Sequence, residues 1–506
     1  MSGGPLVGGI DAGTSRIRAI LFEADGTLVA ADERPTPVDV LGEGSAEHDM
    51  EAIADAALAA LDGALARIDD RKRLRSLAVA SCGEAGTLVD AAGRPLTRVI
   101  AWYDTRTAKD LADFTGHFGF ERLQAITGLC PDPTFTLLKL LWLRRNEPAV
   151  FARATRWLHV ADYLAFTLSG EMATDTSLAS RTMAIDLARG CWSREILDAA
   201  RIPFDLMPRL LPMGTRLGTL RQDVASALGL DPACTIATGG HDHIAGAVAI
   251  GGDRAGTLVD SMGTAEALNL SRPSPVGDPE AGRLGYNQGL LHIETKTWYM
   301  FSGLPTSGGA IEWFRRGVAG GESHASLIEA ASGVPAGSHG VGFFPHLRLG
   351  SPPFPDPVAR GGFFGLGADI ERPVLYRAVL EGVALDTAQI LRRMVEFDGG
   401  ARIDRILAIG GSTRNDLLMR IKAALFGRAI DIAVMPEAVS LGAAILGGLA
   451  AGIWGSLAEA QEACRPELRR IEPDEAMLWG DRDTLIDRYA EGYALQRQLH
   501  RLRLTT

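Results

Sequence analysis

Two short strings, each following an apolar run, contain the residues best suited to chemistry. One is V-G-G-I-D-A-G-T-S-R, with its carboxylate at Asp11, and the other is G-G-H-D-H, with its carboxylate at Asp242. A glycine-rich turn after a strand can direct backbone N–H groups at a phosphate. An aspartate in such a turn can bind Mg²⁺ or accept a proton from a hydroxyl. Together the two strings predict transfer of a phosphoryl group from ATP to a small hydroxylated molecule.

In the first string, residue types match a phosphate-binding turn. Gly13 permits a tight turn, and Thr14 and Ser15 offer hydroxyl and N–H groups to phosphate oxygens. Asp11, at the strand end, is suited to binding Mg²⁺ directly or through water. The alternative is a plain hairpin with an aspartate cap. A P-loop is excluded because no G-x-x-x-x-G-K-[ST] string is present.

In the second string, Asp242 follows a strand and two glycines, which suits a general base near the attacking hydroxyl. Its neighbours His241 and His243 raise a competing interpretation, a metal site shared with Asp11 or Glu84. No third histidine stands at ligand spacing nearby, so we expect His243 to contact the substrate or to be structural.

A third element combines the strings S-C-G-E-A-G and I-A-W-Y-D-T-R. Glu84 and Asp104 are predicted acceptors for sugar hydroxyls, and Trp102 offers an apolar face for C–H groups. Arg106 is expected to pair with one of these carboxylates. Ordinary core packing is the alternative for Trp102.

A fourth string, G-G-S-T-R-N, lies between a predicted strand and a predicted helix. Close backbone approach at Gly410 and Gly411 would admit a flat adenine ring, with Asn415 supplying an amide. The alternative for this string is simple helix capping.

Composition limits the class of protein. A chain of 506 residues exceeds what one core usually supports, so two large domains are expected. The net charge of −11 opposes nucleic-acid binding and argues weakly against an anionic membrane surface. We expect no signal peptide and no spanning helix. Five scattered cysteines predict reduced thiols in a cytosol rather than a disulfide framework or zinc site.

Strand and helix patterns alternate in both halves, which predicts α/β layers. The chain opens as strand, turn, strand, hairpin and strand, and the string G-T-L-V-D-S-M-G-T near 256–264 echoes that opening. We interpret the echo as an internal duplication. Further predicted elements are helices over 50–68, 374–397 and 438–451, strands over 77–80, 235–238, 406–409 and 430–434, and an irregular surface loop over 351–362.

Taken in order, these strings resemble the FGGY family of carbohydrate kinases. The matching strings are D-A-G-T-S, S-C-G-E-A-G, I-A-W-Y-D-T-R, G-G-H-D-H, S-M-G-T, S-G-G-A-I-E-W, A-R-G-G-F-F-G-L, G-G-S-T-R-N and E-A-V-S-L-G-A-A. They extend over nearly the whole chain.

The resemblance implies two actin-like (ribonuclease H-like) ATPase domains with an interdomain cleft: a sugar-binding domain over 1–248 and a nucleotide-binding domain over 249–506. It implies ATP and Mg²⁺ as cofactors, Asp242 as catalytic base and Asp11 as the magnesium-associated carboxylate. The implied nucleotide-side residues are Gly13, Thr14, Ser15, Arg18, Gly263, Thr264, Gly308, Glu312, Gly410, Gly411 and Asn415. The implied sugar contacts are Glu84, Trp102, Asp104, Asp242 and His243.

Departures from the family pattern limit the substrate assignment. G-E-A-G stands where xylulokinases carry Q-M-H-G, and the Q-R-E turn of glycerol kinases is absent. The forms present look closest to a fuculokinase-like branch. The resemblance implies a cytoplasmic homodimer that acts on a ketose, deoxy-ketose or polyol as a fuculokinase-like or xylulokinase-like enzyme. Two alternatives remain at this point, an actin-like or chaperone-type ATPase and a catalytically silent sugar sensor.

Overall fold

A computed structural model describes residues 3–42, 44–397, 402–435 and 437–501. Its strands are β1 Leu6–Ala12, β2 Arg16–Glu23, β3 Leu28–Pro35, β4 Asp39–Gly42, β5 Ser45–His48, β6 Leu74–Ser81, β7 Gly86–Val89, β8 Val99–Ile100, β9 Arg156–His159, β10 Ala173–Asp175, β11 Ile185–Asp186, β12 Cys191–Trp192, β13 Arg209–Leu211, β14 Arg216–Thr219, β15 Thr235–His241, β16 Thr257–Met262, β17 Glu266–Arg272, β18 Asn287–His292, β19 Lys296–Leu304, β20 Gly342–Phe344, β21 Gly362–Phe364, β22 Arg405–Ile409, β23 Ile430–Val434 and β24 Glu467–Ile471.

The helices alternate with these strands and cover the faces of the sheets. They are α1 Met50–Leu65, α2 Ala108–Phe118, α3 Phe120–Thr127, α4 Thr136–Asn146, α5 Pro148–Phe151, α6 Val160–Ser169, α7 Thr176–Ala179, α8 Arg194–Ala199, α9 Gln222–Leu228, α10 Asp242–Ala249, α11 Pro279–Arg283, α12 Gly308–Gly317, α13 His324–Ser332, α14 Arg372–Glu396, α15 Asp416–Phe426, α16 Ala438–Ala450, α17 Leu457–Ala463 and α18 Arg482–Arg501. Among the described helices, none combines the length and apolarity needed to cross a membrane.

The first half is built on a six-stranded sheet in the order β14-β15-β6-β1-β2-β3. Strands β1, β2 and β3 form an antiparallel meander, while β1, β6 and β15 run parallel. Parallel strands bring their carboxyl ends to one edge of a sheet, and ligands bind at that edge. Asp11, near the end of β1, and Asp242, directly after β15, therefore belong to the same edge.

The second half repeats this arrangement in a seven-stranded sheet, β18-β19-β17-β16-β22-β23-β24. Strands β16, β17 and β19 form the antiparallel meander, and β16, β22 and β23 run parallel. An antiparallel edge strand closes each sheet, β14 in the first and β24 in the second. The predicted internal duplication and α/β class are confirmed by this repeated strand order.

Two helices rich in small residues join the halves. Helix α16 belongs to the second half of the sequence but packs on β1, β6 and β15 of the first sheet, and it also packs on α10. A Cβ on Gly9 would lie 1.8 Å from the carbonyl oxygen of Ser440, and one on Gly442 would lie 1.8 Å from that of Ala245. Glycine is therefore required where α16 touches both β1 and α10.

Most predicted elements are present with small differences at their ends. The strand predicted over 235–238 continues through both glycines to His241, because β6 pairs with it along that length. The predicted helix over 50–68 ends at Leu65, and that over 374–397 spans Arg372–Glu396. The proline-rich segment is irregular until Gly362, where β21 begins.

Candidate active site

The turn after β1 is a tight hairpin with exposed hydroxyls. The Gly13 N–H donates to the carbonyl oxygen of Arg16 at 3.0 Å, which closes the turn and leaves Thr14 and Ser15 exposed. Asp11 precedes the turn and pairs in register with Ala80 of β6. The turn thus places a carboxylate and two hydroxyls at the carboxyl edge of the sheet, as predicted.

Asp11 and Asp242 lie within electrostatic range of each other. The pKa of Asp11 is raised to about 7, first because the surrounding protein removes water from its carboxyl group and second because of the charge on Asp242. Glu437 of the second half raises this pKa further, whereas Arg18 lowers it. Residues from both halves therefore set the charge of Asp11.

Asp242 begins helix α10 at the end of β15. Gly240 has φ of +98°, and a Cβ on Gly239 would lie 2.3 Å from the carbonyl oxygen of Val79, so both positions require glycine. The Asp242 Oδ1 accepts from the N–H of His243 at 2.6 Å, and the side chain keeps 26% of its surface exposed. Desolvation raises the pKa of this carboxyl group. A raised pKa suits a general base.

The histidines beside Asp242 do not build a metal site. His241 lies with Nε2 3.3 Å from Asp242 Oδ1, and desolvation holds its pKa well below the usual range, so its ring is neutral. No cluster of three or more His, Cys, Asp or Glu side chains capable of holding a metal occurs among the described residues. The competing H-D-H metal-site interpretation therefore lacks support. His243 is exposed, with its ring 6.1 Å from that of Phe301.

A buried lysine holds the two predicted sugar loops together. Lys139 Nζ is inaccessible to solvent and donates to the carbonyl oxygens of Glu84 at 3.1 Å and Ala101 at 3.0 Å. Trp102 follows Ala101, is 40% exposed, and donates from its indole Nε1 to the Thr14 hydroxyl at 2.9 Å. The core-packing alternative for Trp102 is thus excluded. Its hydrogen bond connects the loop after Ala101 with the turn after β1.

Asp104 is placed differently from the expected sugar contact. Its carboxylate is fully buried, pairs with Arg106 at 2.7 Å, and accepts the N–H of Ala46 at 3.0 Å. Arg106 also pairs with Glu47 at 2.5 Å. The predicted pairing of Arg106 is confirmed, and it holds Asp104 behind the loop instead of at a surface that a sugar can reach.

Two cavities lie along the carboxyl edge of the second sheet. One, of about 430 Å³, is lined by the predicted residues Gly263, Thr264, Gly308, Glu312, Gly411 and Asn415. The other, of about 470 Å³, is lined by Asp11, Arg18, Gly410 and Gly411 together with Glu437. Gly411 and Arg414 line both cavities, so the predicted nucleotide-side residues that line them form one continuous region that reaches Asp11, whereas Gly13, Thr14 and Ser15 line neither cavity.

Glycines make this region possible. Gly410 has φ of +104°, and its Cβ would lie 2.4 Å from the carbonyl oxygen of Met262. A Cβ on Gly308 would lie 2.4 Å from the carbonyl oxygen of Gly263. By contrast, a Cβ on Gly411 would meet no atom within 4 Å, because it would project into open space.

Three predicted nucleotide-side residues have internal partners. The Asn415 Oδ1 accepts from the N–H of Leu418 at 3.1 Å, which confirms the helix-capping alternative for its carbonyl group. Glu312 pairs with Arg315 at 2.7 Å. Arg18 lies 3.4 Å from Glu33 and 3.5 Å from Glu437. All three still line the cavities.

The residues fit ATP with Mg²⁺. A carboxyl group that lines a cavity can supply an oxygen ligand to a divalent cation. The bound cation would keep that group ionised in spite of its raised pKa. Mg²⁺ typically takes only one or two carboxylates and completes its shell with substrate phosphates and water. Asp11 supplies such a carboxylate, and Gly411 leaves space for the phosphates beside it.

Comparison with known proteins now identifies the family. Residues 6–249 match the model of the N-terminal domain of FGGY carbohydrate kinases, and residues 258–451 match that of the C-terminal domain. The chain belongs to the FGGY family of carbohydrate kinases. It is thus a phosphotransferase with an alcohol group as acceptor, and kinases of this family use ATP with Mg²⁺.

Relatives of this kinase carry several substrate names. It is 34% identical to a glycerol kinase of Dechloromonas aromatica over 97% of each chain, and 29% identical to an L-fuculokinase of Escherichia coli over 92% of this chain and 96% of the other. The structure of a xylulose kinase from Rhodospirillum rubrum is similar with a TM-score of 0.89 at 28% identity, covering 98% of this chain and all of that one. The predicted two-domain fold is confirmed by these similarities.

Sequence reasoning missed two residues of this FGGY kinase, Lys139 and Arg181. Arg181 lies 2.6 Å from Glu84 Oε1 through Nη2. No local pattern marks these residues, because Lys139 and Arg181 follow Glu84 by 55 and 97 positions in the chain.

Proposed function

We propose that this FGGY kinase phosphorylates a ketose, deoxy-ketose or related polyol, with Asp242 as general base and Asp11 as the magnesium-associated carboxylate. The supporting observation is that the two carboxylates share one sheet edge, where burial and, after it, the charge of Asp242 raise the pKa of Asp11 to about 7. Glu84, Trp102 and His243 stand around the same edge. This is the geometry that phosphoryl transfer to a bound hydroxyl requires.

Asp242 would accept the proton of the substrate hydroxyl as that oxygen bonds to the γ-phosphorus of ATP. The bond between the γ-phosphorus and its bridging oxygen breaks, ADP leaves, and the proton is later released to solvent. The raised pKa of Asp242 makes its carboxylate a stronger base than an exposed aspartate. His241 is neutral, so it adds no competing positive charge beside the base.

Asp11 would hold Mg²⁺, which supplies neutralisation of the charge on the β- and γ-phosphates. The exposed hydroxyls and N–H groups of Thr14 and Ser15 would contact phosphate oxygens from the first half. Gly263 and Thr264 would do so from the second half. Accordingly, we assign sugar binding to a domain over 1–248 and nucleotide binding to a domain over 249–506.

The substrate class is tested by measuring ADP release with glycerol, pentuloses, hexuloses, 6-deoxyketoses and polyols. The relatives are named glycerol kinase, xylulose kinase and L-fuculokinase, so glycerol, xylulose and L-fuculose lead the panel. We expect one neutral polyhydroxylated compound to stimulate ADP release far above the rate with water alone. ATP hydrolysis without sugar stimulation would favour an actin-like ATPase, and sugar binding without turnover would favour a sensor.

Assembly and location are part of the same proposal. We expect a homodimer in the cytoplasm. Five cysteines without a disulfide among the described residues are compatible with a reducing compartment. Light scattering of the purified protein tests the dimer, and cell fractionation tests the location.

A further inference from the structure

Arg181 occupies space that Gly83 leaves beside the active-site turn. A Cβ on Gly83 would lie 2.5 Å from Cγ and 2.8 Å from Cβ of Arg181. The arginine follows the short helix α7, whose first turn is capped by Asp175. Because Gly83 has no side chain, the guanidinium of Arg181 can reach the turn that carries Glu84, although Arg181 lies 98 positions after Gly83 in the chain.

The guanidinium is held on three sides. Its Nε donates to Glu84 Oε1 at 2.7 Å, and Nη2 lies 2.6 Å from the same oxygen. The rings of Phe135 and Phe301 lie 5.0 and 5.9 Å from its central carbon. Phe301 belongs to β19 of the second half and also lies against His243. Arg181 is thus fixed between the two halves, beside the proposed base.

This pair keeps one free acceptor and one free donor. Among the described residues, Glu84 Oε2 and Arg181 Nη1 have no hydrogen-bond partner, and neither atom is sealed from solvent. Both charges act on Asp242, whose pKa is raised by Glu84 and lowered by Arg181. An acceptor and a donor carried by one ion pair match the groups of a sugar, because a hydroxyl group both donates and accepts and a carbonyl oxygen accepts.

The charges around the cleft disfavour an anionic acceptor. The positive charge of Arg181 is balanced by Glu84, while Asp11 and Asp242 add two further carboxylates nearby. A substrate carboxylate would meet the acidic side chains of Glu84, Asp11 and Asp242, and the Arg181 cation already has Glu84 as its partner. Like charges facing a competing ligand are one way in which a protein discriminates against it.

We propose that Arg181 and Glu84 form a charge-neutral donor–acceptor pair that binds the substrate and selects uncharged polyhydroxylated acceptors over aldonate acids. The inference rests on the proposed function and names the feature that sets its substrate class. Arg181 is a specificity-determining residue in this account, and Glu84 both orients it and neutralises it.

The test uses Arg181→Met, Arg181→Lys and Glu84→Gln, assayed with the best neutral acceptor of the panel and with gluconate as the acid probe. Arg181→Met should raise KM for the neutral acceptor by about 10- to 100-fold, because it removes charge-assisted hydrogen bonds to the substrate. Arg181→Lys should recover part of this loss, because it keeps the charge but not the planar fork. KM for ATP should stay within about twofold of wild type in both variants.

Glu84→Gln gives the sharper result. It leaves the Arg181 cation without its carboxylate, so we expect the preference for the neutral acceptor over gluconate, measured as a ratio of kcat/KM values, to fall at least about tenfold. The matched control is Glu195→Gln, which removes the carboxylate partner of Arg122 on the surface at 2.6 Å. That variant should keep the wild-type ratio.

Nucleotide binding by each variant reports whether it has folded. Folded variants with unchanged acceptor KM and unchanged neutral-to-acid ratio would overturn the role of Arg181 and Glu84. Wild-type protein that turns over no neutral acceptor would instead overturn the proposed function, so the two failures are distinguishable. Preference of the wild type for gluconate would contradict the charge argument directly.

Discussion

The indole Nε1 of Trp102 donates a hydrogen bond of 2.9 Å to the hydroxyl of Thr14. Trp102 belongs to the loop that follows Ala101, and Thr14 belongs to the turn after β1. The bond joins the loop expected to contact the acceptor with the turn expected to contact phosphate. Occupation at one side can therefore influence the position of the other.

Trp102→Phe keeps an aromatic face but removes this hydrogen bond. We expect KM to rise about three- to tenfold for the acceptor and also for ATP, because one neutral hydrogen bond positions both loops. Steady-state kinetics with each substrate varied in turn measure the effect. Trp313→Phe is the matched control, since Trp313 is comparably exposed at 41% and does not line either cavity; its KM values should not change. A change confined to the acceptor would show that the bond does not couple the two sides.

Lys139 orders the acceptor loops through two carbonyl oxygens. Desolvation lowers its pKa to about 8. Lys139→Met should lower the melting temperature by several degrees, because two carbonyl groups lose a charged donor. Acceptor KM should rise about tenfold, with ATP KM little affected. Lys109→Met, which removes an exposed cation paired with Asp113, serves as the control and should change neither quantity. Unaltered kinetics in Lys139→Met would contradict this role.

Asp11 makes folding stability depend on pH. The pKa of the Asp11 carboxyl group is about 7 in the folded protein, above its ordinary value of 3.8. Between these two pH values the folded state therefore keeps a proton that the unfolded state has released. The stabilisation from that proton is present below about pH 4 and is lost as the pH rises through about 7. Without Mg²⁺ and nucleotide, Asp11→Asn should therefore melt higher than wild type at pH 8, with a smaller difference at pH 5. The same difference in melting temperature at pH 8 and at pH 5 would contradict the raised pKa of Asp11.

Mg²⁺ dependence gives a separate test of Asp11. Protons and Mg²⁺ compete for the same carboxylate, so the Mg²⁺ concentration for half-maximal activity should fall as the pH rises from 6 to 8. Asp11→Ala should mainly weaken use of Mg·ATP and should remove that pH dependence. Titration of free Mg²⁺ at fixed ATP checks both expectations. An unchanged magnesium requirement in Asp11→Ala would show that another group holds the ion.

The parts of the site that the sequence predicted are local. Asp11 and Asp242 each lie at the end of an apolar strand. The two glycines before Asp242 indicate a tight backbone there, where Gly239 packs against Val79 and Gly240 has a positive φ. The echo between the two β-hairpin turns likewise predicted the repeated strand order. Patterns of this kind depend on neighbours within a few residues, which is why they can be read along the chain.

The parts that the sequence did not predict depend on contacts between distant segments. Nothing near Arg181 or Lys139 indicates that either cation reaches the Glu84 turn, since each contact joins segments that are far apart in the chain. Asp104 shows the converse limit. Its pairing with Arg106 follows from their spacing, but its burial depends on the Ala46 N–H, which lies 58 positions earlier in the chain.

The most direct measurement of the central claim is the rate of phosphoryl transfer by Asp242→Asn. The substitution keeps the side-chain shape but removes the base, so kcat should fall by about 100-fold or more while acceptor KM changes far less. Asp223→Asn, which alters an exposed aspartate paired with Arg221, should retain wild-type kcat. Near-normal turnover by Asp242→Asn would contradict the assignment of Asp242 as the group that accepts the proton.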